Sequence, residues 1–248
     1  MSLLQEPRPS AGPLQIMENP KIKPLRKIVE QADQLYAARS DISNVEKSVS
    51  LLRNGKADSF ELAWRLARAL FFLGQEVRPR NSAQGFHREG IRAGRRAVKE
   101  RPERVEGHFW LGVNLALLAQ LESSIKAAVH ALQARSALRK AISIDATYHA
   151  AGPLRVLARL QHKLPRVLGG GVGSARDNYE QALRIAAANT VTRMYFAELL
   201  FEIGEVEPAR AELEAVLKAP LDPDWAFEIE RDQAAARERI KQLGEVPA

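Results

Sequence analysis

The sequence contains no cysteine, and this absence excludes several kinds of site. A chain without cysteine has no disulfide, no thiolate zinc centre and no cysteine nucleophile. The five histidines show neither a His-Glu-x-x-His motif nor another metal-ligand spacing, so no metal site and no cofactor are predicted. Aromatic residues are only 6% of the chain, which argues against a sheet-rich fold because strands favour aromatic and β-branched side chains.

A long apolar run is also missing. No stretch of about 18 apolar residues is present, and the first residues do not combine a basic region with a continuous apolar run. We therefore expect neither a membrane span nor a signal peptide. The predicted compartment is the cytoplasm, or the periplasm if an export signal is missing from this chain.

Apolar residues at helical spacing dominate what is present. Leu62, Leu66, Leu70 and Leu73 recur every three or four residues and indicate one side of a helix. Similar patterns, separated by glycine, proline and short polar segments, predict an all-α chain of about 11 helices. The predicted organisation is a mobile, proline-containing leader over 1–23, a single helical domain over 24–248, an irregular loop over 75–85, and a capping helix over about 223–243.

Small residues recur at intervals that indicate stacked helix pairs. In the first helix of successive pairs the intervals are 45, 46 and 39 residues, and in the second helix they are 44, 41 and 34. A small side chain lets two helices approach closely, so these positions predict helix crossings. The two series are Ala67, Gly112, Ala158 and Ala197, and Ala97, Ala141, Ala182 and Val216. Tetratricopeptide (TPR) repeats have 34 residues, whereas HEAT-type pairs, the structural alternative, have about 40 to 47.

Several of these residues resemble the TPR consensus: Leu111-Gly112, Tyr179 before Ala182-Leu183, Gly204, and Ala209. The resemblance implies a right-handed superhelical array of antiparallel helix pairs. A narrower resemblance lies in Glu61–Ala69 (ELAWRLARA), which is similar to a signature shared by the regulator of microtubule dynamics proteins and the bacterial T-component (TatT) proteins of TRAP transporters. The segment LPRVLGGGVGSARDNYEQAL and the later Phe201-Glu-Ile-Gly204 are also similar to the transporter group.

The resemblance implies an adaptor fold. For the transporter group it would also imply export, a lipid-attached cysteine, which this sequence lacks, and a ligand channel. We therefore expect a non-enzymatic scaffold that binds another protein, such as an acidic peptide, through a concave groove. A small organic-acid-binding or transporter-associated accessory role is the alternative.

The groove is expected on the inner face of the first helices, where apolar side chains are flanked by arginines that can hold carboxylates through paired hydrogen bonds. Ordinary packing and local ion pairs are the alternative explanation. The candidate groove residues are Trp64, Arg68, Phe71, Phe72, Phe109, Arg155, Arg159, His162 and Phe201.

Most of the formal charge of +7 comes from residues 78–104, which have nine Arg or Lys against three Glu. A basic helix can meet acidic protein or phosphate, and a solvated outer face is the plainer interpretation. Nucleic acid binding is the more distant alternative, because the aromatic residues that stack bases are missing there. The predicted basic surface comprises Arg88, Arg92, Arg95, Arg96 and Lys99.

No catalytic residue is predicted. Ser123 and Lys126 have the Ser-x-x-Lys spacing of β-lactamase-like enzymes, but the companion Ser-Asp-Asn and Lys-Thr-Gly motifs are missing. The glycine-rich segment 168–174 lacks the Lys-Ser/Thr ending of a phosphate-binding loop and follows no predicted strand. The sequence therefore favours a binding protein over an enzyme.

Overall fold

A computed structural model describes residues 22–55, 59–123 and 125–244. Its described part contains eleven α-helices and no β-strand, which confirms the predicted all-α class. The predicted leader lies outside the described residues except for its last two positions, because the first helix begins at Ile22. None of the described helices is long and apolar enough to cross a membrane. The helices are α1 Ile22–Ala37, α2 Ile42–Asn54, α3 Phe60–Glu76, α4 Arg80–Glu100, α5 Val105–Leu121, α6 Ile125–Ile144, α7 Tyr148–Lys163, α8 Val172–Ile185, α9 Thr190–Glu202, α10 Val206–Leu217 and α11 Ala226–Gly244.

The helices form two layers. Each helix packs against the next one along the chain, most extensively α5 on α6, α3 on α4 and α4 on α5. The odd-numbered helices α1, α3, α5, α7 and α9 also contact one another in order, so they form a continuous inner layer, with the even-numbered helices outside. This arrangement is the helix-pair array that the TPR resemblance implies.

Small residues mark the helix crossings, as the sequence predicts. All eight residues of the two predicted series are buried. A Cβ atom added to Gly94 in α4 would lie 2.9 Å from the backbone Cα of Leu111 in α5. A Cβ atom added to Gly112 would lie 2.8 Å from Cγ of Leu138 in α6. Glycine therefore allows a close approach between helices that a larger residue would prevent.

The connection between α3 and α4 is shorter than the predicted loop over 75–85. Helix α3 continues to Glu76 and α4 begins at Arg80, directly after Pro79. The side chains of Arg80 and Gln84 both donate hydrogen bonds to the carbonyl oxygen of Leu121, at 2.8 and 2.7 Å. These tertiary contacts stabilise the start of α4, although Pro79 and Gly85 nearby disfavour a helix.

Helix α7 begins with a left-handed turn in place of a regular helical turn. His149, Ala150 and Ala151 have φ angles of 53°, 52° and 57°. Pro153 follows, and its fixed φ and missing N–H suit the first turn of the right-handed helix that continues from it. Left-handed geometry costs a non-glycine residue about 1–2 kcal/mol, so the surrounding contacts must hold this turn in place.

The C-terminal segment closes the array onto its first helix. Arg39, just after α1, donates two hydrogen bonds to the carboxylate of Glu228 in α11, at 3.1 and 2.7 Å. Arg39 also donates to the carbonyl oxygen of Asp224 at 2.6 Å. The ring of Phe227 packs 5.6 Å from that of Phe72 in α3. The predicted C-terminal cap is thus present, and it also joins the two ends of the helix stack.

Candidate functional site

A cavity of about 460 Å³ lies at the centre of the inner layer. The odd-numbered helices form its wall, and the segment around Trp225 and Glu228 forms its far side. Its surface mixes aromatic rings with charged groups rather than being uniformly apolar. The cavity is therefore suited to a ligand that has both a flat apolar part and a charged part.

The structure brings together six of the nine predicted groove residues at this cavity. They are Arg68, Phe71, Phe72, Phe109, Arg155 and Arg159. The other three lie elsewhere. Trp64 is buried beside the guanidinium group of Arg65, His162 contacts Glu202 at 2.7 Å, and Phe201 lines a separate pocket among α9, α10 and α11. Local partners or a different pocket therefore occupy these three positions, and they do not line the central cavity.

Four of the five cavity arginines already have a carboxylate partner, including Arg231, which contacts Asp232 at 3.3 Å. Arg39 pairs with Glu228, Arg68 pairs with Asp33 at 2.6 Å, and Arg159 pairs with Glu198 at 2.9 Å. Burial lowers the pKa of Arg39, but the hydrogen bond and charge of Glu228 outweigh this effect and raise it. The charges of these arginines are thus balanced by neighbouring acids.

Arg155 differs from the other cavity arginines. It is only 4% exposed, and no carboxylate within the described part of the chain lies within 4 Å of it. Its guanidinium group donates instead to the carbonyl oxygen of Ala150 at 2.9 Å and to the side-chain oxygen of Asn189 at 3.3 Å. Burial lowers the pKa of Arg155 to about 10, so the group remains a cation at neutral pH. Arg155 is a buried positive charge without a directly paired counter-charge.

The left-handed turn of α7 positions the aromatic wall of the cavity. The ring of His149 lies 5.1 Å from Trp110, 5.5 Å from Phe109 and 4.7 Å from Trp225. Burial lowers the pKa of His149 well below its usual value, and the charge of Arg155 lowers it further. His149 is therefore neutral at pH 7 and presents a flat, uncharged face beside the Arg155 cation.

Sequence reasoning missed several residues of the cavity wall. Tyr36 and Arg39 belong to the first helix pair, where no repeat signal is visible, and Trp225 and Glu228 belong to the predicted cap. Helical spacing assigns faces within one helix, but it does not reveal that the last helix returns to the first. Trp225, which follows Pro223 and directly precedes α11, is a local signal of this contact.

The predicted basic surface lies on the outside of the array. Arg88, Arg92, Arg95, Arg96 and Lys99 are all exposed along α4, away from the central cavity. Among the residues that the structure describes, no group of three or more His, Asp and Glu side chains is arranged to hold a metal ion. The central cavity and the outer face of α4 are thus two distinct charged surfaces.

Comparisons with known proteins agree with this fold. A tetratricopeptide repeat family model matches residues 172–226. Among solved structures, a thermophilic TPR protein from Thermus thermophilus has a TM-score of 0.63 at 19% sequence identity, over 89% of this chain and 99% of that chain. At this identity the likeness shows the fold alone. A search of curated proteins finds no match.

The TPR-like architecture is thereby confirmed, and the resemblance to the transporter T-component group stays a prediction. A family model described as regulator of microtubule dynamics protein 1-3 matches residues 28–154, which is just over half of the 248 residues. This match includes the Glu61–Ala69 stretch from which the sequence predicts the same family. The chain therefore belongs to the regulator of microtubule dynamics protein 1-3 family.

Proposed function

We propose that this protein is a non-enzymatic binding module whose central cavity receives the acidic end of a partner peptide, with Arg155 holding its carboxylate. TPR-like folds generally mediate protein–protein interaction through the surface formed by the first helices. The cavity is lined by those helices.

The observation that carries the proposal is that the buried guanidinium group of Arg155 has no carboxylate within 4 Å among the described residues. A buried cation without a counter-charge is costly, and proteins generally pair such groups. A carboxylate in the cavity would supply the missing negative charge and accept hydrogen bonds from the guanidinium group. Such charge-assisted hydrogen bonds contribute about 1.5–3 kcal/mol each.

The volume of the cavity suits the end of a peptide rather than a folded surface. At about 460 Å³ it lies in the range of ordinary ligand pockets, which is about 300–1,000 Å³. The rings of Phe109, Trp110 and His149 offer packing for an apolar or aromatic group next to the carboxylate. We therefore expect an extended chain end that inserts its last residues.

A free organic acid is the second candidate ligand. The contact between Arg39 and Glu228 closes one side of the cavity, and closure favours a small molecule over a long peptide. Both candidates use the same carboxylate chemistry at Arg155. A single experiment with two kinds of probe can distinguish them.

The test uses immobilised protein and three probes: a random hexapeptide pool with a free C-terminal carboxylate, the same pool with an amidated C-terminus, and a panel of di- and tricarboxylic acids. Bound material is identified by mass spectrometry and its affinity is measured by calorimetry. We expect retention of free-carboxylate peptides and loss of retention on amidation. Retention of organic acids alone would instead support the second candidate.

Two variants make the test specific to the site. Arg155→Met removes the charge while keeping most of the side-chain volume, and we expect it to weaken binding about 10- to 150-fold, the equivalent of one lost charge-assisted contact. Arg193→Met is the control for loss of an arginine charge elsewhere, because Arg193 is half-buried and paired with Glu212 and lies outside the cavity. Equal binding by wild type and a folded Arg155→Met variant would refute the proposal.

A further inference from the structure

Helix α6 exposes an aliphatic stripe on the outside of the array. Ile125, Val129 and Leu132 are 81%, 45% and 45% exposed. Their spacing of four and three residues places them on one side of the helix, over two turns and about 10 Å. The opposite side of α6 packs into the core through Ala131, Ala134, Leu138 and Ala141. The helix therefore has two apolar faces, and only one of them is covered by this chain.

The charges around this stripe have one sign. Helix α6 contains four Lys or Arg residues and no Asp or Glu. At about 100° of rotation per residue, Lys126 lies to one side of the stripe, and Arg139 lies nearly in line with it, about two turns beyond Leu132. Within the described residues, neither cation has a carboxylate within 4 Å. The aliphatic stripe is thus bordered by positive charge that this chain leaves unbalanced.

The basic face of α4 extends this positive border. Arg95 donates a 3.1 Å hydrogen bond to the side chain of Gln133, which is next to Leu132 in α6. Arg88 reaches Glu122, just before α6, at 3.1 Å. The same carboxylate of Glu122 also contacts His130 at 2.7 Å. The nearest acidic side chain is therefore already engaged by two residues of this chain.

We propose that the outer surface formed by α4 and α6 binds an acidic amphipathic helix of a partner protein. Two or three apolar residues of that helix, at spacings of three or four, would cover Ile125, Val129 and Leu132. Its Glu and Asp residues would face Arg95 and Lys126 along one side of the stripe and Arg139 at its C-terminal end. Helix-in-groove recognition uses this combination of an apolar row and charged edges.

A helix from a second copy of this chain does not fit as well. Antiparallel packing of α6 on α6 of another copy would set lysines and arginines against each other, because the helix has no acidic residue. A nucleic acid would leave the aliphatic stripe unused, and α6 contains no Phe, Tyr or Trp for base stacking. An anionic membrane surface would use the cations, but interfacial helices usually add aromatic anchors that are missing here.

The experiment measures fluorescence anisotropy with three designed 18-residue helical peptides at physiological salt. The first has leucines at one-face spacing with glutamate flanks, the second keeps the leucines but has lysine flanks, and the third keeps the glutamates but replaces the leucines with serine. We expect only the first to bind at micromolar concentration. No binding of the first peptide, or equal binding of the second or third, would overturn the proposal.

Protein variants identify the surface. Val129→Ser with Leu132→Ser should weaken the first peptide at least tenfold while leaving the melting temperature unchanged, because both side chains are exposed. The matched control is Val206→Ser, an exposed valine on α10. Unchanged affinity in the double variant would place the peptide elsewhere and overturn the proposal. Two further assays test the other partners: sedimentation with phosphatidylserine vesicles and binding to duplex RNA. If the wild-type protein binds either of these but not the first peptide, and the double variant loses that binding, the proposal is overturned in favour of that partner. This inference does not depend on the ligand of the central cavity.

Discussion

The contact between Arg39 and Glu228 gives the sharpest prediction about stability. Their side chains are only 9% and 16% exposed and share two hydrogen bonds. Exposed ion pairs contribute about 0–1 kcal/mol, whereas removing one partner of a buried pair costs about 3–5 kcal/mol. Glu228→Gln removes the charge but keeps one acceptor, so we expect a cost of about 2–3 kcal/mol for holding α11 in place.

This cost should be visible as local opening rather than as global unfolding. Helix α11 is terminal, and terminal elements open with less free energy than the core. A cost of about 2–3 kcal/mol corresponds to about 30- to 150-fold faster amide exchange in α11. Hydrogen exchange measured by mass spectrometry resolves this change, and peptides from α4 and α5 serve as the internal reference because they should keep the wild-type rate.

A double-mutant cycle with Arg39→Met completes the test. If the contact acts as a pair, the double variant should cost clearly less than the sum of the two single variants. Exchange in α11 that stays within about twofold of wild type in both single variants would refute the reasoning, because these side chains then would not hold the two ends together. Uniformly faster exchange in α4 and α5 would also refute it, since the effect would not be confined to the closure.

Two further predictions concern packing and pH. Gly94→Ala should destabilise the protein by about 1–3 kcal/mol, because the new methyl group would meet the backbone of α5. Gly85→Ala in the same helix places its methyl group in open space and should stabilise the protein by up to about 1 kcal/mol. Equal melting temperatures of the two variants in thermal unfolding would contradict this prediction. Burial lowers the pKa of His87, and burial together with Arg155 lowers that of His149. The unfolded chain therefore binds protons first as pH falls below about 6.5, so stability is full above that pH and declines below it, by up to about 1.4 kcal/mol per pH unit for each histidine. Urea unfolding at pH 7.5, 6.5 and 5.5 measures how the free energy of unfolding changes with pH. His149→Gln should reduce this pH dependence. A free energy of unfolding that is constant over this range would count against the prediction.

The helical stack could be predicted because its determinants are local. Leucines at helical spacing, glycine and proline at the breaks, and small residues at the crossings each depend on neighbours in the same or the next helix. Ala67 and Gly112 show this: both were predicted at crossings, and both are buried where α3 and α5 meet their partners. The inner face of the first helices follows from the same periodicity.

The remaining features depend on contacts between distant parts of the chain. Arg39 and Glu228 are separated by 189 residues, and no local pattern links them. The left-handed turn at His149 is stabilised by hydrogen bonding from Arg155 and by rings of α5 and of the segment before α11, against its own backbone preference. The ion pairs that distinguish Arg155 from Arg68 and Arg159 also become visible only when the tertiary structure is known.

The joined ends of the array have a consequence for how this family could change over time. In an open stack of repeats, a helix pair can be added or lost at either end with little effect on the rest. Here an additional pair after α10 would carry Glu228 away from Arg39, and a deletion would draw α11 across the cavity. The number of helix pairs and the size of the cavity are therefore tied together, so the repeat count is itself a determinant of which ligands fit.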